Sequence, residues 1–159
     1  MIESHVPQSG YRHNAAPWRL SALLLGLFGG VTVILGLYFI LVRPPFLAED
    51  LRYFHASRAQ LAAVAPDLAF WLKQVFRVMG GYVVATGVLT IAVAMSSFRR
   101  HERTGIVGAF IGGVASIGLM APVTFMIDSD FKWMLLSIAL LWAWSIVQYW
   151  IEARTGRAT

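Results

Sequence analysis

Few residues in this chain could do chemistry, and they collect at the edges of long apolar runs. The clearest group is Lys73 and Arg77 in "WLKQVFRVMGGYVVATG", with the acids Asp50, Asp67, Asp128 and Asp130 elsewhere in polar segments. An arginine beside an apolar run is either an intramembrane cation, which is expensive and often functional, or a side chain snorkelling to the water interface. Turned inward, Arg77 and Lys73 could bind an anionic lipid head group or pair with Asp50, Asp67, Asp128 or Asp130. The apolar run after Arg77 is long enough to span alone, which favours snorkelling.

Other chemistry is missing from the pattern. The chain has no cysteine, so disulfides and thiolate metal sites are excluded. The histidines His5, His13, His55 and His101 all stand in polar segments, away from the depth at which a haem would need axial ligands. Phosphate loops, nucleophile–base pairs and metal-ligand spacings are absent from the sequence. No cofactor, no metal and no catalytic residue is therefore expected. Asp128 and Asp130 in "DSDFKW" are too few for an oxygen cage, and Asp130 is expected to cap the last helix.

The elements that must position these residues follow from charge spacing. Of 159 residues, 58% are hydrophobic and 13% charged, against about 25% charged in soluble domains. Runs of 23, 21, 24 and 19 uncharged residues separate Arg19 from Arg43, Arg77 from Arg99, Arg103 from Asp128 and Lys132 from Glu152. About 20 apolar residues cross a hydrocarbon core, so all four qualify. The expected fold is all-α: an integral membrane four-helix bundle with spans near 19–42, 70–97, 104–127 and 132–152. A tail of residues 1–17 precedes a single domain, 18–159. The first run is too long for a secretory h-region and is expected to stay as an uncleaved span.

Arg12, Arg19, Arg99, Arg100, Arg103, Arg154 and Arg157 fall on one side of such a bundle. The positive-inside rule then puts both termini in the cytoplasm. The net charge of +5 is explained by these span ends, so no nucleic-acid partner is expected. The tight loops at 98–104 and 127–132 should make spans two and three, and three and four, antiparallel neighbours. In the long outer loop, an amphipathic interfacial helix over about 47–64 should lie on the membrane surface or fold over the bundle as a lid.

Small residues set the packing. Gly26 and Gly30 in span one, Gly80, Gly81 and Gly87 in span two, and Gly108 and Gly112 in span three permit close helix approach. Pro122 should bend span three near its outer end. In span four Trp142 and Trp144 point about 200° apart at 100° per residue. One should pack inside and the other meet lipid, a hydrophobic ligand or a partner helix. Trp133, Tyr149 and Trp150 fit the interface belts.

The stretch "FRVMGGYVVATGVLTIAVA" resembles the arginine-then-Gly-Gly helix of small bacterial four-helix inner-membrane proteins of unknown function, broadly DoxX-like. That resemblance implies a bacterial inner-membrane bundle of modest size and no catalytic residues. The leading expectation is a non-catalytic accessory or assembly subunit bound to membrane lipids and to other membrane subunits. The alternative is a membrane enzyme, or a lipid- or hydrophobic-ligand-binding protein with its site at the outer mouth near Arg77. A third is a small transporter or channel-forming oligomer.

Overall fold

A computed structural model describes residues 19–155; the expected tail of residues 1–17 lies outside the described residues. Among the described residues 84% are helical and none is in a strand. Helix α1 covers Leu20–Leu41 and ends ahead of Pro44-Pro45, which cannot continue its hydrogen-bond ladder. Two short helices follow, α2 (Ala48–Phe54) and α3 (Arg58–Val64). Helix α4 (Leu68–Val93) runs into a π turn, Ala94–Phe98. Helix α5 (Arg103–Gly113), a second π turn (Val114–Gly118) and α6 (Leu119–Met126) form one rod. Helix α7 covers Lys132–Thr155.

The rods Leu20–Leu41, Leu68–Phe98, Arg103–Met126 and Lys132–Thr155 are long and apolar enough to cross a membrane. They are spans one to four of a multi-pass membrane protein. Span two has 31 residues, roughly 46 Å at 1.5 Å per residue, which is longer than a core of about 30 Å.

Segment 47–64 is not one amphipathic helix. His55 adopts φ 51°, in the left-handed region, and ends α2. Ser57 then starts α3 with a reciprocal cap: its Oγ accepts from the Gln60 N–H at 3.2 Å, and its own N–H donates to Gln60 Oε1 at 2.8 Å. Helix α2 buries Glu49, whereas α3 buries no residue.

Span one is the centre of the bundle. It packs along α4 on one side and α7 on the other, and α7 also carries α5 and α6. The α1–α4 seam is built on Gly29 and Gly36 facing Gly87 and Gly80. A Cβ on Gly36 would lie 2.8 Å from the Gly80 carbonyl oxygen, and one on Gly87 would lie 2.7 Å from that of Gly29. Ala22 and Ala94 extend these two series at seven-residue intervals and are themselves buried. Gly80 and Gly87 therefore pack as expected. Gly26, Gly30, Gly81, Gly108 and Gly112 do not: a Cβ on any of them would meet nothing within 4 Å. The G-x-x-x-G spacing marked the wrong face of span one, because the seam follows a seven-residue repeat.

Spans two and three are neighbours only beside their connecting loop. There Gly105 lets α5 sit against the π turn, with a hypothetical Cβ 2.5 Å from the Phe98 nitrogen. Farther along, the two rods diverge and a cleft opens between them. The two spans are antiparallel neighbours as expected where they meet, but the tight loop constrains only the ends it joins. In span three the π turn immediately precedes the helix that holds Pro122. A wider turn accommodates the ring and the missing N–H that a regular helix could not.

Candidate functional site

Arg77 and Lys73, the candidates for an outer-mouth site, both face away from the bundle, and no ion pair joins either to Asp50, Asp67, Asp128 or Asp130 among the described residues. Arg77 is exposed and donates to Gln74 Oε1 at 3.3 Å, one turn away on its own helix. Lys73 and Asp67 are exposed as well, and Asp67 makes no capping bond to α4. Asp128 pairs with Lys132, which holds its carboxyl below the usual carboxylate range. Asp130 does not cap span four. Its side chain accepts from Arg52 Nη2 at 2.7 Å, and the hydroxyl that accepts the Phe131 N–H, at 3.1 Å, belongs to Ser129.

Among the described cations at this end, the one that turns inward is Arg43, just past the end of span one. Its side chain is 8% exposed, and its guanidinium carbon lies 3.4 Å from the Phe76 ring centroid. Arg43 Nη2 donates to Asp50 Oδ2 at 3.3 Å and Nη1 to the Pro44 carbonyl at 3.3 Å. Burial pushes the Arg43 pKa down from its ordinary value, and the neighbouring Asp50 opposes that shift. The same Asp50 oxygen accepts the Leu47 N–H at 2.8 Å, so one carboxylate both starts α2 and holds Arg43.

Glu49, 7% exposed, fixes α2 to the loop before span four. Its Oε1 accepts from Ser129 Oγ at 3.0 Å and its Oε2 from the Asp130 N–H at 2.8 Å. Outside this buried clasp, the exposed Arg52–Asp130 pair ties the same two segments. Arg43 was legible in "LVRPPF" only as a helix-end charge. Nothing in local spacing brings Glu49 to Ser129, 80 positions away.

These groups close one end of an apolar cavity of about 420 Å³. Leu35 and Phe39 of α1 and Ile138 of α7 lie on its floor side, between Phe76 and Met79 of α4 and Met120 and Val123 of α6. A second cavity, about 400 Å³, shares Leu35, Phe39, Met79, Met120, Val123 and Ile138 and continues to Phe28 and Thr86. A third hollow, about 410 Å³, runs on past Gly108 and Gly112 between the same two spans. The result is a lateral cleft at the depth of the spans. Its hydroxyls are turned to their own helices: Thr86 Oγ1 donates to the Tyr82 carbonyl at 2.9 Å, Thr90 Oγ1 to Thr86 at 2.8 Å, and Ser116 Oγ to Gly112 at 2.7 Å. The cleft wall therefore meets a ligand as hydrocarbon, with polar groups gathered at the Arg43 end.

Trp142 packs inside. Its Nε1–H donates to the Ala109 carbonyl at 3.0 Å, and the indole lies where a Cβ on Gly113 would be. Trp144 is 56% exposed on the outer surface. Trp133 and Trp150 are exposed, but Tyr149 is buried against Phe98 rather than standing in a belt.

At the opposite end, Glu152 of span four joins the start of span one. Ser21 N–H donates to Oε1 at 3.1 Å and Ser21 Oγ to Oε2 at 2.6 Å. His101 Nε2 stands 3.8 Å from Glu152 Oε2 and 3.4 Å from Arg19 Nη1. The His101 ring stacks on Tyr149, centroids 4.3 Å apart. Burial, then the Arg19 charge, lowers the His101 pKa below 6.5. The hollow beside these residues measures about 460 Å³. Among the described residues no cluster of three metal-binding side chains exists. The chain matches no family model, no curated protein and no solved structure, so its own geometry carries the functional argument.

Proposed function

We propose that this is a non-catalytic membrane protein that holds the hydrocarbon chain of a membrane amphiphile in the cleft between spans two and three. The single observation that carries this reading is the cleft itself: open sideways at hydrocarbon depth, lined by apolar side chains, and polar at one end only. From Phe28 to Arg43 it follows span one for roughly 22 Å at 1.5 Å per residue, a reach suited to one long acyl or isoprenoid chain. A membrane-spanning helix, about 10 Å across, is a poor fit to cavities of about 400 Å³. The test is native mass spectrometry of the protein released from native membranes. A retained amphiphile that disappears when Val123→Trp fills the cleft supports the reading. Release of bare protein under conditions that keep it folded counts against it.

The described cations support an orientation. Arg19, Arg99, Arg100, Arg103 and Arg154 gather at the Glu152 end, against Glu102 and Glu152. The Arg43 end carries Arg43, Arg52, Arg58, Lys73, Arg77 and Lys132 with Glu49, Asp50, Asp67, Asp128 and Asp130, so the excess of positive charge lies at the Glu152 end, where Arg99, Arg100 and Arg103 share one tight loop. On the positive-inside rule both termini are cytoplasmic in a bacterial inner membrane, and the cleft's polar end faces outward. Reporter fusions at each terminus check this.

A second reading, an accessory subunit of a larger membrane complex, is favoured by a different observation. Gly26 and Gly30 on span one, and Gly81 on span two, have open space where a partner helix could approach, and Trp144 stands exposed. Co-purification of other chains in fixed ratio, lost on Gly26→Leu with Gly30→Leu, is the expected result of that reading.

A further inference from the structure

We infer that the amphiphile held in the cleft carries an uncharged polar head, such as an alcohol, ester or carbonyl group, rather than a phosphate, carboxylate or ammonium. This rests on the cleft reading and specifies the chemistry of its closed end. Among the described residues lining the cavity of about 420 Å³, Arg43 is the one cation, and Glu49 and Asp50 are the two acids.

Arg43 is not available as an anion trap. Asp50 neutralises it at 3.3 Å, the Phe76 ring covers it at 3.4 Å, and little of it reaches water. An incoming phosphate would enter a low-dielectric pocket already holding two carboxylates for one guanidinium. Losing its own hydration there goes uncompensated. An ammonium head has the converse difficulty. It must lie beside the buried guanidinium, and both oxygens of Glu49 already accept hydrogen bonds from Ser129 and Asp130. Farther out, Arg52 is paired with Asp130 and Lys132 with Asp128, while Arg58, Lys73 and Arg77 stand exposed, where water and salt screen them. What the pocket still offers is hydrogen bonding to an uncharged head. Asp50, whose bonds to Arg43 and Leu47 both fall on Oδ2, accepts from a hydroxyl at Oδ1, and the guanidinium edge donates to an ester or ketone oxygen. Phe39 and Phe76 give such a head a flat apolar flank.

The experiment uses the full chain in detergent micelles, with three single-chain probes that differ only at the head: monooleoylglycerol, oleoyl phosphate and oleyltrimethylammonium. Retention is read by native mass spectrometry from an equimolar mixture. Monooleoylglycerol should be retained about tenfold over either charged probe. Its retention should vanish in Val123→Trp and Met79→Trp, which fill the cleft from opposite walls and elute as folded protein. Glu49→Gln removes one negative charge at nearly constant shape and should raise the phosphate probe towards the uncharged one.

Two failures are distinguishable. If a charged probe is retained as well as monooleoylglycerol or better, and the cleft-filling variants still abolish it, the uncharged-head assignment is overturned while the cleft reading stands. If no probe is retained, or retention ignores both filling variants, the cleft reading falls and takes the assignment with it. A phosphate-to-glycerol ratio that does not move in Glu49→Gln also overturns the charge argument.

Discussion

Gly80 and Gly36 approach so closely that a Cβ on Gly80 would lie 2.7 Å from the Gly36 carbonyl oxygen. The obstacle is backbone, which cannot swing aside as a flexible side chain does. Gly80→Ala should therefore destabilise the α1–α4 pair by about 1–3 kcal/mol, the usual cost of overpacking. Gly81→Ala, one residue on, meets open space and should change stability by less than about 0.5 kcal/mol, or raise it slightly through helix propensity. Thermal unfolding of both variants in one detergent decides it. Equal effects from the two would refute the seam.

Trp142 and Gly113 form a second pair with a defined direction of failure. A Cβ on Gly113 would overlap the indole, so Gly113→Ala should expel Trp142 and break its bond to Ala109. Trp142→Phe removes the donor but keeps most of the packing, and should cost about 1 kcal/mol. Gly112→Ala serves as the control, since it faces open space. Melting temperatures should rank Gly112→Ala above Trp142→Phe above Gly113→Ala. A Gly113→Ala protein as stable as the parent would contradict the geometry.

His101 makes stability depend on pH, and the sign follows from its lowered pKa. The folded state binds the proton less readily than the unfolded chain, whose histidine titrates near 6.5. Between the two values the unfolded state holds more protons, so stability rises with pH. The contribution is complete above 6.5 and is lost as pH falls through the folded value. Arg19 reinforces the effect, while Glu152 opposes it without reversing it. His101 sits at φ 57°, so His101→Asn keeps a residue tolerant of the left-handed region while removing the titration. Melting temperature should fall on acidification below neutrality in the parent and change less in His101→Asn. Parallel curves for the two proteins would remove His101 from the account.

Two contacts hold α2 against the loop before span four, and they should not be equal. Glu49 is buried and satisfies Ser129 and the Asp130 N–H, so Glu49→Ala leaves donors without an acceptor and should cost about 1–3 kcal/mol. Arg52–Asp130 is exposed on both sides, and exposed pairs contribute about 0–1 kcal/mol. Amide hydrogen exchange across Ala48–Phe54 should accelerate strongly in Glu49→Ala and little in Arg52→Ala. The reverse order would show that the surface pair is the clasp.

Local pattern and tertiary placement divide cleanly at particular residues. The span limits were readable within about two residues at most ends because uncharged run length is a one-dimensional property that a bilayer enforces directly. The break in segment 47–64 was also locally encoded, in the Ser57–Gln60 cap, but a hydrophobic repeat carried across it obscures the signal. Arg77 stands beside an apolar stretch, yet an arginine there has a stem long enough to leave the bundle. Arg43, at a helix end like many others, turned inward because Phe76 and Asp50 receive it there.

From its residues alone this chain determined four rods, their lengths, the polar rims and the supply of small side chains, since each depends on nearest neighbours along the chain and on the solvent. Only the tertiary structure decided which glycines meet, that Glu49 reaches Ser129, and that spans two and three part to leave a cleft. Those outcomes depend on the rotation of each rod about its own axis. Lipid is as apolar as the side chains it faces, so hydropathy imposes no such rotation, and close packing between helices must supply it.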